Sequence, residues 1–162
     1  MRLFAVAAFA TFAASVTACI SQPTSTALVQ QTAHEFNVNA RFGRLELAAE
    51  TVSPTYREAF TKVHRAWGGD VRIGDTELAG VSLKGKDVAF VGVKVSWYRV
   101  DSTELRTTTV RQEWHDHKGT WLLEREERES GDFGLMGDRV EVVAPSGSAP
   151  RAQFPTVRIG AP

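Results

Sequence analysis

The chain has 162 residues, 19 basic against 19 acidic side chains, and one cysteine. A chain of this length can bury about 70% of its unfolded surface, so one domain folds without metal or disulfide staples. A single cysteine excludes an internal disulfide and any multi-cysteine zinc or iron–sulfur site, and zero net charge argues against nucleic acid as a partner.

Behind Arg2, residues 3–16 form an unbroken run of apolar or small side chains. Fourteen residues are too few to span a ~30 Å hydrocarbon core, and the run fits the hydrophobic region of a cleaved secretory signal. It ends in Val16-Thr17-Ala18-Cys19, which resembles the lipobox of bacterial lipoproteins: an aliphatic residue, two small residues and a cysteine. The resemblance implies a signal peptide over residues 1–18, a diacylglycerol thioether on Cys19 and acylation of the new amine. Val16 departs from the family's commonest first residue, Leu. An ordinary signal peptide with Cys19 incidental is the alternative. Buried acyl chains contribute about 0.8 kcal/mol per methylene, enough in combination to hold a protein on a membrane without a spanning helix. Ile20 rather than Asp after the cysteine implies, by the same resemblance, the outer rather than the inner membrane of the cell envelope. Removing residues 1–18 leaves 18 basic and 19 acidic side chains, so lipid rather than charge is expected to tie the protein to the membrane. Residues 19–26 read as the lipidated cysteine and a short polar tether.

Three helical segments are expected next. Over residues 27–42, Val29, Ala33, Phe36 and Ala40 recur near a helical period, and Gly43 suggests a stop. Leu45, Leu47, Ala48 and Val52 form a short second segment. The third has Ser53 as N-cap, Pro54 at the first position and Gly68-Gly69 closing it. Tyr56, Phe60, Val63 and Trp67 fall on one face of that helix, a stripe that reads as core packing.

The period then changes to two. Residues 71–84 suggest a strand or hairpin interrupted by Gly74 and Gly80, followed by strands over 87–99, 104–115 and 120–129. Ala89, Val91, Val93, Val95 and Trp97 share one face. A turn centred on Asp101-Ser102-Thr103 sets Val93 opposite Val110 and Ala89 opposite Trp114, with the apolar sides in agreement. An even loop around Asp116-His117-Lys118-Gly119 keeps Trp121 and Leu123 on the side of Trp114.

Helices followed by antiparallel strands define an α+β domain over residues 27–130, with N-terminal helices packed on a strongly curved sheet. Phe36-Asn37 with Ala40-Arg41, Gly43 and Leu45, then Ser53-Pro54 and Arg57, then Gly119-Thr120-Trp121-Leu122-Leu123, together resemble the nuclear transport factor two-like superfamily. The resemblance implies a cone-like fold. That superfamily holds ketosteroid isomerase-like and dehydratase-like enzymes beside binding domains, so the fold leaves function to the polar groups inside the cone.

With even loops, Thr108, Gln112, Arg125 and Glu127 are expected on the concave face. Gln112, Arg125 and Glu127 are the candidate ligand-pocket residues, because a guanidinium fork beside polar neighbours suits a small anion. No carboxylate base can be paired from the sequence with a Tyr or protonated acid, so no catalytic residue is assigned and a non-catalytic domain for a small ligand or envelope protein is expected. An isomerase- or lyase-like enzyme is the alternative. No cofactor motif is present. His115 and His117 lack companion ligands for a metal, and His64 reads as a hydrogen-bonded residue at the core edge. The mixed charges of Glu124-Arg125-Glu126-Glu127-Arg128-Glu129 suggest cross-strand pairs with Arg111 and Glu113. The superfamily resemblance also admits a homodimer through the exposed sheet. Glycine and proline recur over residues 131–162, expected as a loose tail with one added strand at 139–143.

Overall fold

The Thr24 hydroxyl accepts the Ala27 N–H at 3.2 Å and starts helix α1, Ser25–Arg41. This computed structural model describes residues 23–137. Cys19, the signal peptide and the strand expected at 139–143 lie outside the described residues.

Val29, Ala33, Phe36 and Ala40 are buried along one face of α1, as their spacing predicts. Asn37 is buried among them. Helix α2, Leu45–Ala49, is short. Helix α3, Arg57–His64, starts later than the Ser53-Pro54 signal predicts, because Ser53 is already committed elsewhere. Its N–H donates to the Leu123 carbonyl, while its carbonyl accepts the N–H groups of Tyr56 and Arg57 in a turn that precedes the helix. The helix also ends at His64, and a turn carries the chain to Gly69.

The sheet has four antiparallel strands in the order β1-β2-β3-β4: Val71–Lys84, Val88–Arg99, Arg106–His117 and Thr120–Gly131. Residues 71–84 are one strand, not a hairpin; bulges at Gly74 and Ala79 absorb the glycine interruptions by shifting its register on β2. Val93 pairs with Val110 and Ala89 with Trp114. His117 pairs with Thr120 across a two-residue loop in which Lys118 (φ 58°) and Gly119 (φ 94°) take the positive φ a type I′ turn requires. The even loop leaves Trp114, Trp121 and Leu123 buried on one side.

The three helices pack on that face. Phe36 meets Phe60 with ring centroids 5.7 Å apart and Trp114 edge-on at 5.6 Å. The outer face carries the charges: Arg111 pairs with Glu127 across β3–β4, and Glu113 lies opposite Arg125. No helix among the described residues is long and apolar enough to cross a membrane.

The packed unit runs past residue 130, correcting the expected start of a loose tail at 131. Asp132 exchanges hydrogen bonds with the Thr107 backbone, the Trp67 indole donates to the Leu135 carbonyl at 3.1 Å, and Leu135 is buried. Gly131 makes this return possible. At φ 87°, a Cβ there would lie 2.3 Å from the Thr107 carbonyl oxygen. Gly131→Ala is expected to cost about 3 kcal/mol, from left-handed strain plus a backbone clash. Gly85→Ala has comparable φ but open space, and is expected to cost about 1 kcal/mol. Equal losses for the two variants in urea denaturation would show that residues 131–137 do not pack as described.

Candidate functional site

The polar centre of the cone is built by one irregularity in β4. Trp114 pairs with Leu123 and Glu113 with Arg125, so Glu124 has no partner across the ladder. This bulge reverses the alternation of the residues after it, as far as a second irregularity at Glu129, which restores it. Glu126, opposite Gln112, turns inward, while Arg125 and Glu127 turn outward. Of the three residues expected to form a ligand pocket, only Gln112 lies inside. Arg125 and Glu127 pair with each other at 3.2 Å on the outer face, and the Arg125 side chain is 67% exposed.

Gln112 stands at the middle of a buried chain of hydrogen bonds. Its amide donates to Glu126 Oε1 at 3.0 Å and to Asn37 Oδ1 at 3.0 Å. Its oxygen accepts from Asn37 Nδ2 at 3.2 Å and the Trp114 indole at 3.3 Å. Asn37 also donates to the Ala33 carbonyl one helical turn back. Thr108, the other expected concave polar group, accepts from the Trp97 indole at 2.9 Å and donates to the Asp132 carbonyl at 2.8 Å. Each group has partners, so the network is structurally satisfied up to its far end.

That far end is an acid–base pair. His64 Nε2 lies 3.3 Å from Glu126 Oε2, with side-chain exposures of 0% and 2%. The two atoms are within ion-pair distance yet off the line of a hydrogen bond, and neither has another partner among the described residues. His64 Nδ1 is 3.0 Å from the Phe60 carbonyl, which can only accept, so that nitrogen carries a proton. The imidazole is held between Phe60 and Trp67, each at a ring-centroid distance of 4.3 Å. Tyr56 completes the group by accepting the Glu126 backbone N–H at 3.2 Å.

Burial pushes the Glu126 carboxyl above the ordinary range, against the opposing pull of His64 and the Gln112 hydrogen bond. Burial and then the Glu126 charge also raise the Tyr56 phenol. Outside the core, Glu124 behaves oppositely. Burial raises it, but hydrogen bonds from Ser53, Thr55 and His117 outweigh that and hold it below the usual carboxylate range. Those bonds tie the α2–α3 loop to the bulge. His115 pairs with Glu113 at 2.9 Å on the outer face, and no group of three or more metal-ligating side chains occurs among the described residues.

The sequence reading misses Glu126 and Asn37; it places His64 at the core edge as a hydrogen-bonded residue and Tyr56 on the packing stripe, but does not join them into one cluster. For His64 and Asn37 a signal existed: 56, 60, 64 and 67 fit a helical stripe as well as 56, 60, 63 and 67 do, and Asn37 lies on the α1 stripe. For Glu126 there was none, because its flanking residues are charged on both sides.

The raised Glu126 carboxyl has a measurable consequence. Above the ordinary carboxylate pKa and below its own, native Glu126 keeps a proton that the unfolded chain has released. Its contribution to stability is therefore complete at low pH and falls as pH rises through the folded value. Urea unfolding between about pH 5 and about pH 8 is expected to show this decline in the native chain and a flatter profile in Glu126→Gln. The same slope in both would mean that Glu126 titrates as an exposed carboxyl. Glu126→Ala, which strands His64 and Gln112, is expected to lose about 3–5 kcal/mol.

No protein-family model matches the chain, and no curated protein does. Among solved structures it is similar to a SEC-C motif-containing protein from Rhodopseudomonas palustris, at 21% identity and TM-score 0.48 over 64% of this chain and 77% of that one. A protein of unknown function with a cystatin-like fold from Nostoc punctiforme is similar at 13% identity and TM-score 0.49, over 71% and 98% of the two chains. The VirB8 protein of Agrobacterium tumefaciens is similar at 12% identity and TM-score 0.48, over 69% and 96%.

Proposed function

We propose that this chain is a bacterial envelope lipoprotein, anchored through Cys19, whose domain of the nuclear transport factor two-like kind binds a ligand or partner rather than catalysing a reaction. The observation that carries the non-catalytic part is closure. Glu126, His64 and Gln112 have the chemistry of a general acid–base site, but their side chains are 2%, 0% and 1% exposed or less. A general base must come within hydrogen-bond reach of the proton it removes, and here helices and aromatic rings occupy that space. Binding is therefore assigned to the outside of the cone. The envelope address rests on the leader and on Val16-Thr17-Ala18-Cys19, and Ile20 favours the outer membrane.

Each part has a separate test. Cells fed radiolabelled palmitate are expected to incorporate it into the native chain and not into Cys19→Ser, with the native protein in the membrane fraction. An unlabelled native chain, or a mature N-terminus other than Cys19 by intact mass, overturns the anchor. For the closed interior, 2-naphthol serves as a probe, because a phenol mimics the enolate an isomerase-like cone stabilises. Titration is expected to leave the His64 ring resonances unmoved. Saturable shifts at His64, lost in Glu126→Gln, would reverse the reading in favour of the isomerase- or lyase-like enzyme.

A further inference from the structure

The C-terminal end of α1 borders a cleft that the buried network does not touch. It is about 480 Å³ in volume and lies between the α1–α2 turn, the α3–β1 loop and the paired ends of β1 and β2. Arg41 and Arg72 reach it from two sides, with Phe42 and Tyr98 beside them. Gly43 and Gly68 line its floor, and their backbones are so close that a Cβ on Gly43 would stand 3.2 Å from the Gly68 Cα. Two loops thus meet without side chains between them, and the space above is left open.

The charges around this space are unevenly matched. Arg41 is fixed in place by Asp75 at 2.8 Å and by the Gly74 carbonyl at the β1 bulge. Those bonds use two of its five N–H donors. Among the described residues Arg72 and Arg44 form no ion pair, whereas Arg99, Arg106, Arg111 and Arg125 each have a carboxylate. Phe42 is 64% exposed and is flanked by the guanidinium groups of Arg41 and Arg44, each 5.4 Å from its ring centroid. Tyr98 adds a second ring, 40% exposed. Held guanidinium groups beside exposed aromatic faces recognise a negative charge and a flat apolar body at once.

We propose that this cleft binds a small soluble organic anion bearing a planar apolar group, of the aryl phosphate or aryl carboxylate class. The proposal rests on the reading of the domain as a binding module and supplies its site. Position favours a soluble ligand over a lipid headgroup. Helix α1 has 17 residues and is about 25 Å long, with the tether at one end and Arg41 at the other. The cleft therefore lies about 25 Å along α1 from the end that joins the proposed tether.

The test is isothermal titration of phenyl phosphate into the full chain in phosphatidylcholine nanodiscs. Saturable binding is expected, weakened by salt and about tenfold weaker in Arg72→Gln, where one charge-assisted contact is lost. Arg72 is exposed, so this variant is expected to melt like the native protein. Phe42→Ala is expected to weaken phenyl phosphate while leaving inorganic phosphate unchanged. Binding that ignores both substitutions overturns the proposal, as does equal affinity for phenyl and inorganic phosphate. Displacement of phenyl phosphate by soluble glycerophosphoglycerol, the phosphatidylglycerol headgroup, with higher affinity than phenyl phosphate itself, would identify a lipid headgroup as the occupant and overturn the soluble ligand. If the probe instead moves His64, the anion enters the cone, and both this site and the non-catalytic reading fail. If the probe does not bind at all, only the cleft assignment fails.

Discussion

The bulge at Glu124 changes the facing of β4 partway along the strand, and the interior of the domain is arranged around that change. Before it, Trp121 and Leu123 complete an apolar face with Trp114. After it, a carboxyl group enters the core where regular alternation would place its two neighbours. The bulge is itself held from outside β4. The backbone of Thr51 and Ser53 bonds to Leu123 on both sides of its peptide, and Ser53, Thr55 and His117 converge on the Glu124 carboxylate. The loop between α2 and α3 thereby sets which acid is buried.

A carboxyl inside a protein core is costly unless its neighbours satisfy it. Here the neighbours come from every layer: His64 and Tyr56 from the α3 segment, Gln112 from β3, and through Gln112 the Asn37 amide of α1. The network therefore ties α1, the α3 segment, β3 and β4 together in the interior. An acid, an imidazole and a phenol lie within one cluster, and the acid and the imidazole are closed off from solvent.

The surface is divided by charge. The outer sheet face neutralises itself through cross-strand pairs such as Arg111 with Glu127. The end of the domain where α1 meets the α3–β1 loop does not: arginines there face aromatic rings and open space. Close contact of Gly43 and Gly68 brings the two loops together beneath the cleft, in turns whose positive φ (69° and 77°) glycine adopts without strain. The site proposed for an organic anion thus sits at loop tips on a rigid sheet, where the scaffold holds position and the loops carry the chemistry.

Local pattern alone determined the helical face of Val29, Ala33, Phe36 and Ala40, the β2–β3 register and the even β3–β4 loop, because each rests on a contrast between apolar and polar neighbours at a fixed period. The proposed lipid anchor rests on sequence alone, on the leader and Val16-Thr17-Ala18-Cys19. The tertiary structure decided the identity of the buried acid. Residues 124–129 are all charged, so neither face of that segment contrasts with the other, and a shift of one residue leaves no local trace. Only the pairing of β4 with β3, and the loop that pins Glu124, selects Glu126 for the interior and turns Arg125 and Glu127 outward.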